Sequence, residues 1–82
     1  MVTYEYDKHF QKQFKKIKNS SFKSKILKQI EKIMENPTIG KPMRYEKKGT
    51  REVYIAPFRL VYAFLEKEEK LIFLDIYHKD EQ

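Results

Sequence analysis

The chain contains no cysteine. Disulfides and thiolate metal sites are therefore excluded, and the composition suits a reducing compartment. No apolar run approaches the roughly 20 residues that a membrane-spanning helix requires. The opening Met1-Val2-Thr3-Tyr4-Glu5 has neither the basic start nor the apolar stretch of an export signal. Only two histidines occur, His9 and His78, far apart in sequence. Metal sites need clustered ligands, so no metal and no cofactor is expected. Glycine and proline are scarce, and Pro37, Gly40, Pro42 and Gly49 crowd into one short stretch. The reading is a soluble cytoplasmic protein with no membrane partner.

What is present is charge. Charged residues make up 37% of the 82 positions, against 40% hydrophobic and 15% aromatic. That suffices for one domain, residues 1–82, with one modest core. The charge is uneven. Residues 1–48 hold 13 Lys/Arg and 5 Asp/Glu, a net of +8, while residues 49–82 hold 5 and 7, a net of −2; together they give the formal +6. A basic half of this kind suits a polyanion or an acidic protein partner. A solvated lysine-rich surface has the same composition.

Hydrophobic periodicity divides the chain into elements. Val2 to Tyr6 alternates and reads as a strand. Asp7 can cap a helix in which Phe10, Phe14 and Ile17 share a face, running to about Lys18. Asn19-Ser20-Ser21 offers caps for a second helix with the stripe Phe22, Ile26, Leu27, Ile30, Ile33 and Met34. Asn36-Pro37 ends it, because proline disfavours helical geometry in the residue before it. Residues 37–50 form a connection with a short extended piece near Met43 to Tyr45. Three strand-like runs follow: Arg51 to Ala56, Phe58 to Glu66 and Leu71 to His78. The order β-α-α-β-β-β predicts an α+β fold, a helical hairpin packed on one face of a small antiparallel sheet.

Register then gathers polar side chains. A last hairpin turning symmetrically about Glu68-Glu69 sets Arg59 opposite His78 and Val61 opposite Ile76. A tight turn at Ala56-Pro57 sets Arg59 opposite Tyr54 and Val61 opposite Glu52. Alternation along strands then puts Glu52, Tyr54, Arg59 and His78 at one end of a single face. An apolar strip of Val61, Ala63, Leu65, Ile72, Leu74 and Ile76 lies behind them and needs cover. A one-residue bulge would break the cluster.

Each of these residues has two readings. Arg59 is costly in an apolar strand unless paired or used, so it is either Glu52's ion-pair partner or a phosphate contact. His78 exchanges protons near neutral pH or merely ends a strand in water. Glu52 is a base or Arg59's counter-ion. Tyr54 binds phosphate, stacks on a base, or packs. Lys79 reaches a phosphate only from a frayed end. Lys12, Lys15 and Lys16 form one helix face, either solvated or in contact with ribosomal RNA.

Several segments together resemble the RelE/ParE superfamily of toxins from toxin–antitoxin modules. They are the element order, Asn36-Pro37, Gly40-Lys41-Pro42, Gly49-Thr50-Arg51-Glu52-Val53 and Phe58-Arg59-Leu60-Val61-Tyr62-Ala63. The resemblance spans essentially the whole chain, and the Phe58–Ala63 segment is its sharpest part. It implies a ribosome-dependent mRNA endoribonuclease, in which the RNA's 2′-hydroxyl attacks the adjacent phosphate. A base, cationic support for the phosphorane and an acid for the leaving oxygen are then needed. Arg59 aligns with the family's transition-state arginine. Tyr77-His78 resembles the terminal Tyr-His of the YoeB branch, where the histidine transfers protons. Lys79 and Arg44 fall near basic positions of RelE, and with Arg51 and Tyr77 they are the expected RNA contacts. The sequence departs from RelE at Glu52 and Tyr54, where RelE carries lysines; either is the candidate base. The implied partners are the ribosome with its mRNA and a cognate acidic RelB-like antitoxin. The alternatives are a non-enzymatic ParE-type inhibitor of DNA gyrase and a degenerate toxin that only binds its antitoxin or RNA.

Overall fold

The computed structural model describes residues 2–43 and 49–81. Strand β1 (Thr3–Tyr6) leads into helices α1 (Lys8–Lys16) and α2 (Ser20–Glu35), followed by β2 (Lys41–Pro42), β3 (Thr50–Ile55), β4 (Phe58–Leu65) and β5 (Lys70–His78). The strands form one sheet in the order β1-β5-β4-β3-β2. The expected α+β arrangement is present. Four strands are antiparallel neighbours, and β1 adds to the β5 edge in parallel. A two-residue strand lies at Lys41–Pro42; the extended piece expected near Met43 to Tyr45 falls largely outside the described residues.

Local chemistry sets the helix ends. The Asp7 carboxylate accepts from the His9 N–H at 2.9 Å. Asn19 Oδ1 accepts from Ser21 and Phe22 at 2.8 and 3.2 Å. Each satisfies donors that a first helical turn leaves without partners. Helix α2 stops at Asn36, before Pro37. Phe10 and Ile17 from the first helical segment meet Ile26, Ile30 and Ile33 of α2 over Ile55, Leu60, Tyr62, Leu71, Phe73 and Ile76 of the sheet. Leu27, expected in the core, is 48% exposed, while Ile26 and Ile30 beside it are buried.

A polar staple holds the turn after α2. The Tyr62 hydroxyl, from a fully buried ring, donates to the Pro37 carbonyl at 2.7 Å and accepts from the Gly40 N–H at 3.0 Å. Arg51 Nη1 donates to the carbonyls of Thr38 and Gly40 at 3.2 and 2.7 Å. A Cβ on Gly40 would lie 2.6 Å from the Tyr62 hydroxyl oxygen and 3.0 Å from Arg51 Cβ. Only glycine lets the two strands' side chains close on this backbone. Gly40→Ala should therefore destabilise the fold by about 1–3 kcal/mol in denaturant melts, the usual range for overpacking.

The same staple predicts an alkaline limit. Burial raises the Tyr62 hydroxyl above the ordinary tyrosine range, with the Gly40 hydrogen bond and the Arg51 charge pulling partly back. Burial, then the neighbouring Tyr4, raises Tyr6 as well. A group whose pKa is raised in the folded state stabilises fully below its unfolded pKa, about 10 for tyrosine, and loses that contribution as pH rises further. Melting temperature should be level up to about pH 9.5 and then fall. Tyr62→Phe should weaken that fall while costing about 1–3 kcal/mol at neutral pH, because it strips partners from the Pro37 and Gly40 backbone groups.

Candidate functional site

The β3–β4 hairpin turns at Ala56-Pro57 and has the expected register: Tyr54 faces Arg59 and Glu52 faces Val61. The β4–β5 hairpin does not. Its turn is the helical Glu66–Glu68 segment plus Glu69, which makes Leu65 face Lys70, Ala63 face Ile72 and Tyr62 face Phe73. The register then shifts, so that Val61 faces Asp75, Leu60 faces Ile76, Arg59 faces Tyr77 and Phe58 faces His78. Leu74 is the extra residue of a β-bulge, and a bulge exchanges the faces of everything beyond it.

This corrects the expected cluster. His78 is not beside Arg59; it lies on the helix-covered side with Phe58. Its ring sits edge-on to Phe58 at 5.7 Å, and Phe58 in turn meets Phe22 of α2 at 5.4 Å. Ile76, assigned to the open face, is buried in the core at 1% exposure. Tyr77 takes the position opposite Arg59. The sequence carried a signal for this. Unbroken alternation from Leu71 and Phe73 would carry Asp75 onto the covered face, where an unpaired carboxylate is expensive. The bulge moves the parity just before it. Asp75 instead is half-buried, its Oδ1 buried without a hydrogen bond but 3.0 Å from His9 Nε2, an ion pair between the start of α1 and β5 when that imidazole carries a proton.

On the open face Arg59 occupies the centre. Its Nη1 is 3.4 Å from Glu52 Oε1, a long ion pair, with side chains 36% and 25% exposed. Its Nε is buried and makes no hydrogen bond. A buried donor without a partner costs about 1–3 kcal/mol; the exposed part of the guanidinium, held only by the long Glu52 contact, is what an incoming oxygen could meet. Tyr54 is 55% exposed. Lys79, in the short turn after β5, reaches back to put Nζ 5.9 Å from the Tyr54 ring, and its backbone N–H donates to the Pro57 carbonyl. Glu52, Tyr54, Arg59, Tyr77 and Lys79 thus meet at one end of the sheet, with half-buried Val61, Ala63, Ile72 and Leu74 behind them.

The remaining expectations divide. Arg51 is committed to the Thr38 and Gly40 carbonyls and faces Tyr62, so it is a structural residue of the turn and not part of this cluster. Arg44 lies outside the described residues. His78 Nδ1 accepts from the Asp80 N–H at 3.2 Å and is 3.6 Å from the Asp80 carboxylate. The two contacts are alternatives, since the first needs Nδ1 bare and the second needs it protonated. Among the described residues no three potential metal ligands cluster, and no helix is long and apolar enough to cross a membrane.

The family model for the ParE toxin of the type II toxin–antitoxin system parDE matches residues 4–82. The chain belongs to this toxin family. No curated protein sequence matches it. Among solved structures, the isolated RelE toxin of E. coli superposes with a TM-score of 0.82 at 16% identity, over 95% of this chain and 84% of that one. The RelBE2 toxin–antitoxin complex of Mycobacterium tuberculosis gives 0.82 at 19%, over 94% and 96%. A YoeB/ParE toxin from Agrobacterium tumefaciens gives 0.80 at 14%, over 94% and 98%. At such identities the likeness is one of fold. The register itself is open to a direct test in this cysteine-free toxin. Arg59→Cys with Tyr77→Cys should cross-link under mild oxidation, because opposed strand residues bring their Cβ atoms within disulfide reach. Arg59→Cys with His78→Cys should stay reduced, their side chains lying on opposite faces.

Proposed function

We propose that this toxin is an endoribonuclease that cuts mRNA on the ribosome, working on the open face of the sheet around Arg59. The observation that carries the reading is the Arg59 guanidinium, 36% exposed on an uncovered face and held there only by a long 3.4 Å contact to the Glu52 carboxylate. In the proposed reaction the RNA 2′-oxygen bonds to the adjacent phosphorus and the bond from phosphorus to the 5′-oxygen breaks. The products are a 2′,3′-cyclic phosphate and a 5′-hydroxyl. Glu52 takes the 2′-proton, with Tyr54 the alternative, and Arg59 holds the extra negative charge of the phosphorane. Tyr77, opposite Arg59, stands where a proton can be given to the leaving oxygen. Lys79 holds the RNA backbone over the Tyr54 ring. His78, on the other side of the sheet, has no part in this step.

The basic half of the chain and the half-covered apolar strip suit an acidic antitoxin that wraps the toxin, as a cognate partner of the RelB kind would. Structurally similar toxins are found in RelBE toxin–antitoxin complexes, which supports that partner here.

Arg59→Ala should lower ribosome-programmed mRNA cleavage by about a hundredfold or more, the scale of losing one oxyanion donor, while its circular dichroism and melting stay those of the parent. Undiminished cleavage would remove Arg59 from the mechanism. The second reading is a gyrase inhibitor, favoured by the ParE description of the matching family. Inhibition of gyrase supercoiling by the purified toxin, with no mRNA cleavage on ribosomes, would establish that reading instead.

A further inference from the structure

The open face continues past Glu52 to the edge of the sheet. Lys41 of β2 is the cross-strand partner of Glu52, and residues directly opposite one another share a face. The Met43 N–H donates to the Thr50 carbonyl at 3.1 Å, which carries the pairing one residue past β2. Alternation then puts Met43 beside Lys41 on the same face. With Pro42 and Glu52 they line a hollow of about 300 Å³. Lys41 is exposed and Met43 is half-buried. Among the described residues Lys41 is in no ion pair, because the Glu52 carboxylate is turned toward Arg59 instead. Glu52 is therefore a shared wall, belonging both to this hollow and to the Arg59 cluster.

The order of strands gives the cluster a direction. Across the face come Tyr77 on β5, Arg59 on β4, Glu52 and Tyr54 on β3, and Lys41 on β2. In the proposed cleavage Arg59 holds the reacting phosphate, with the base on β3 and the acid on β5. A 2′-hydroxyl attacks the phosphate on its own 3′ side, so the attacking ribose lies toward β3. The leaving 5′-oxygen belongs to the next nucleotide, which lies toward β5. Glu52 and Tyr54 give the same sense, since both are on β3. The next group upstream in the RNA is the phosphate on the 5′ side of the attacking ribose. The next position on the sheet is the hollow at β2. Two strand spacings, about 10 Å, separate β4 from β2, a gap that one nucleotide and the reach of a lysine side chain cover. Lys41 supplies a cation there, and Met43 a polarisable apolar surface for the upstream base.

We infer that the RNA crosses the open face from β2 to β5 in the 5′ to 3′ sense, with Lys41 holding the phosphate one nucleotide upstream of the cut. The inference rests on the cleavage reading, and adds to it the sense of the strand and a contact at the sheet edge.

The test is cleavage kinetics on ribosomes programmed with a synthetic mRNA. Lys41→Gln should lower kcat/KM about tenfold, the scale of one charge-assisted contact. The loss should fall chiefly on KM, because a phosphate that does not react is held equally in the ground and transition states. Lys41→Arg should stay near the parent, and both variants should melt as the parent does, the position being exposed. The sense of the strand is read by replacing single phosphates with neutral methylphosphonates. One placed a nucleotide 5′ of the cut should bring the parent down to the level of Lys41→Gln and leave Lys41→Gln itself unchanged, the non-additivity expected of two groups in contact. One placed a nucleotide 3′ of the cut should affect parent and variant by equal factors. Cleavage by Lys41→Gln at the parental rate would overturn the inference and leave the cleavage reading standing. So would coupling of Lys41 to the downstream phosphate in place of the upstream one. Absence of cleavage by the parent toxin would remove the reading, and the inference with it.

Discussion

The cost of burying a carboxylate shapes this toxin's site. Strand β5 begins as an unbroken apolar run, Leu71 to Leu74, and then meets Asp75. Leu71 and Phe73 are both fully buried under the helices. Strict alternation would send Asp75 after them. Desolvating an unpaired carboxylate costs several kcal/mol, far more than the ladder contacts that one bulged residue gives up. The strand therefore slips by one residue at Leu74, and Ile76 fills the core position. Asp75 leaves the helix-covered face only in part, its Oδ1 still buried, without a hydrogen bond, 3.0 Å from His9 Nε2.

The consequences reach the candidate chemistry. The slip takes His78 away from Arg59 and seats it against Phe58. It brings Tyr77 to face Arg59 instead. The open-face cluster then consists of one arginine, one carboxylate, two tyrosines and a lysine, with no imidazole. Arg59 is only loosely held by Glu52 at 3.4 Å, and its buried Nε is unpaired. A tightly bidentate pair would neutralise the guanidinium and leave nothing for a phosphate. The long contact keeps the arginine oriented and still available. Arg51 shows the opposite case: two backbone carbonyls take its guanidinium, and it serves only to close the turn at Gly40.

Most of the fold was legible because its signals are local. Asp7 and Asn19 announce their helices through side-chain capping, and Asn36-Pro37 ends the second one. The β3–β4 register was legible because a two-residue turn leaves no freedom in pairing. The β4–β5 register was not. The run Leu71-Ile72-Phe73-Leu74 is apolar at every position, so either parity buries something hydrophobic. Glu66 to Glu69 forms a longer, partly helical turn whose closing geometry no charge pattern specifies. The Tyr62 staple escaped for a different reason: its partners Pro37 and Gly40 are distant in sequence, and a tyrosine in a core strand reads as packing alone.

The two faces also divide the charge in a way that composition could not reveal. The lysines that make residues 1–48 basic sit largely on the helices, while in the Arg59 cluster Glu52 offsets one of the two cations. In the cleavage reading proposed above, a phosphate at Arg59 would meet a mixed, oriented set of groups. The α1 surface offers a uniform positive field, which would attract a polyanion of any kind. A small toxin with a single core has little interior in which to build a deep active site. A uniform charge on the helices and a mixed cluster on the sheet can each vary without disturbing the core layer that both share.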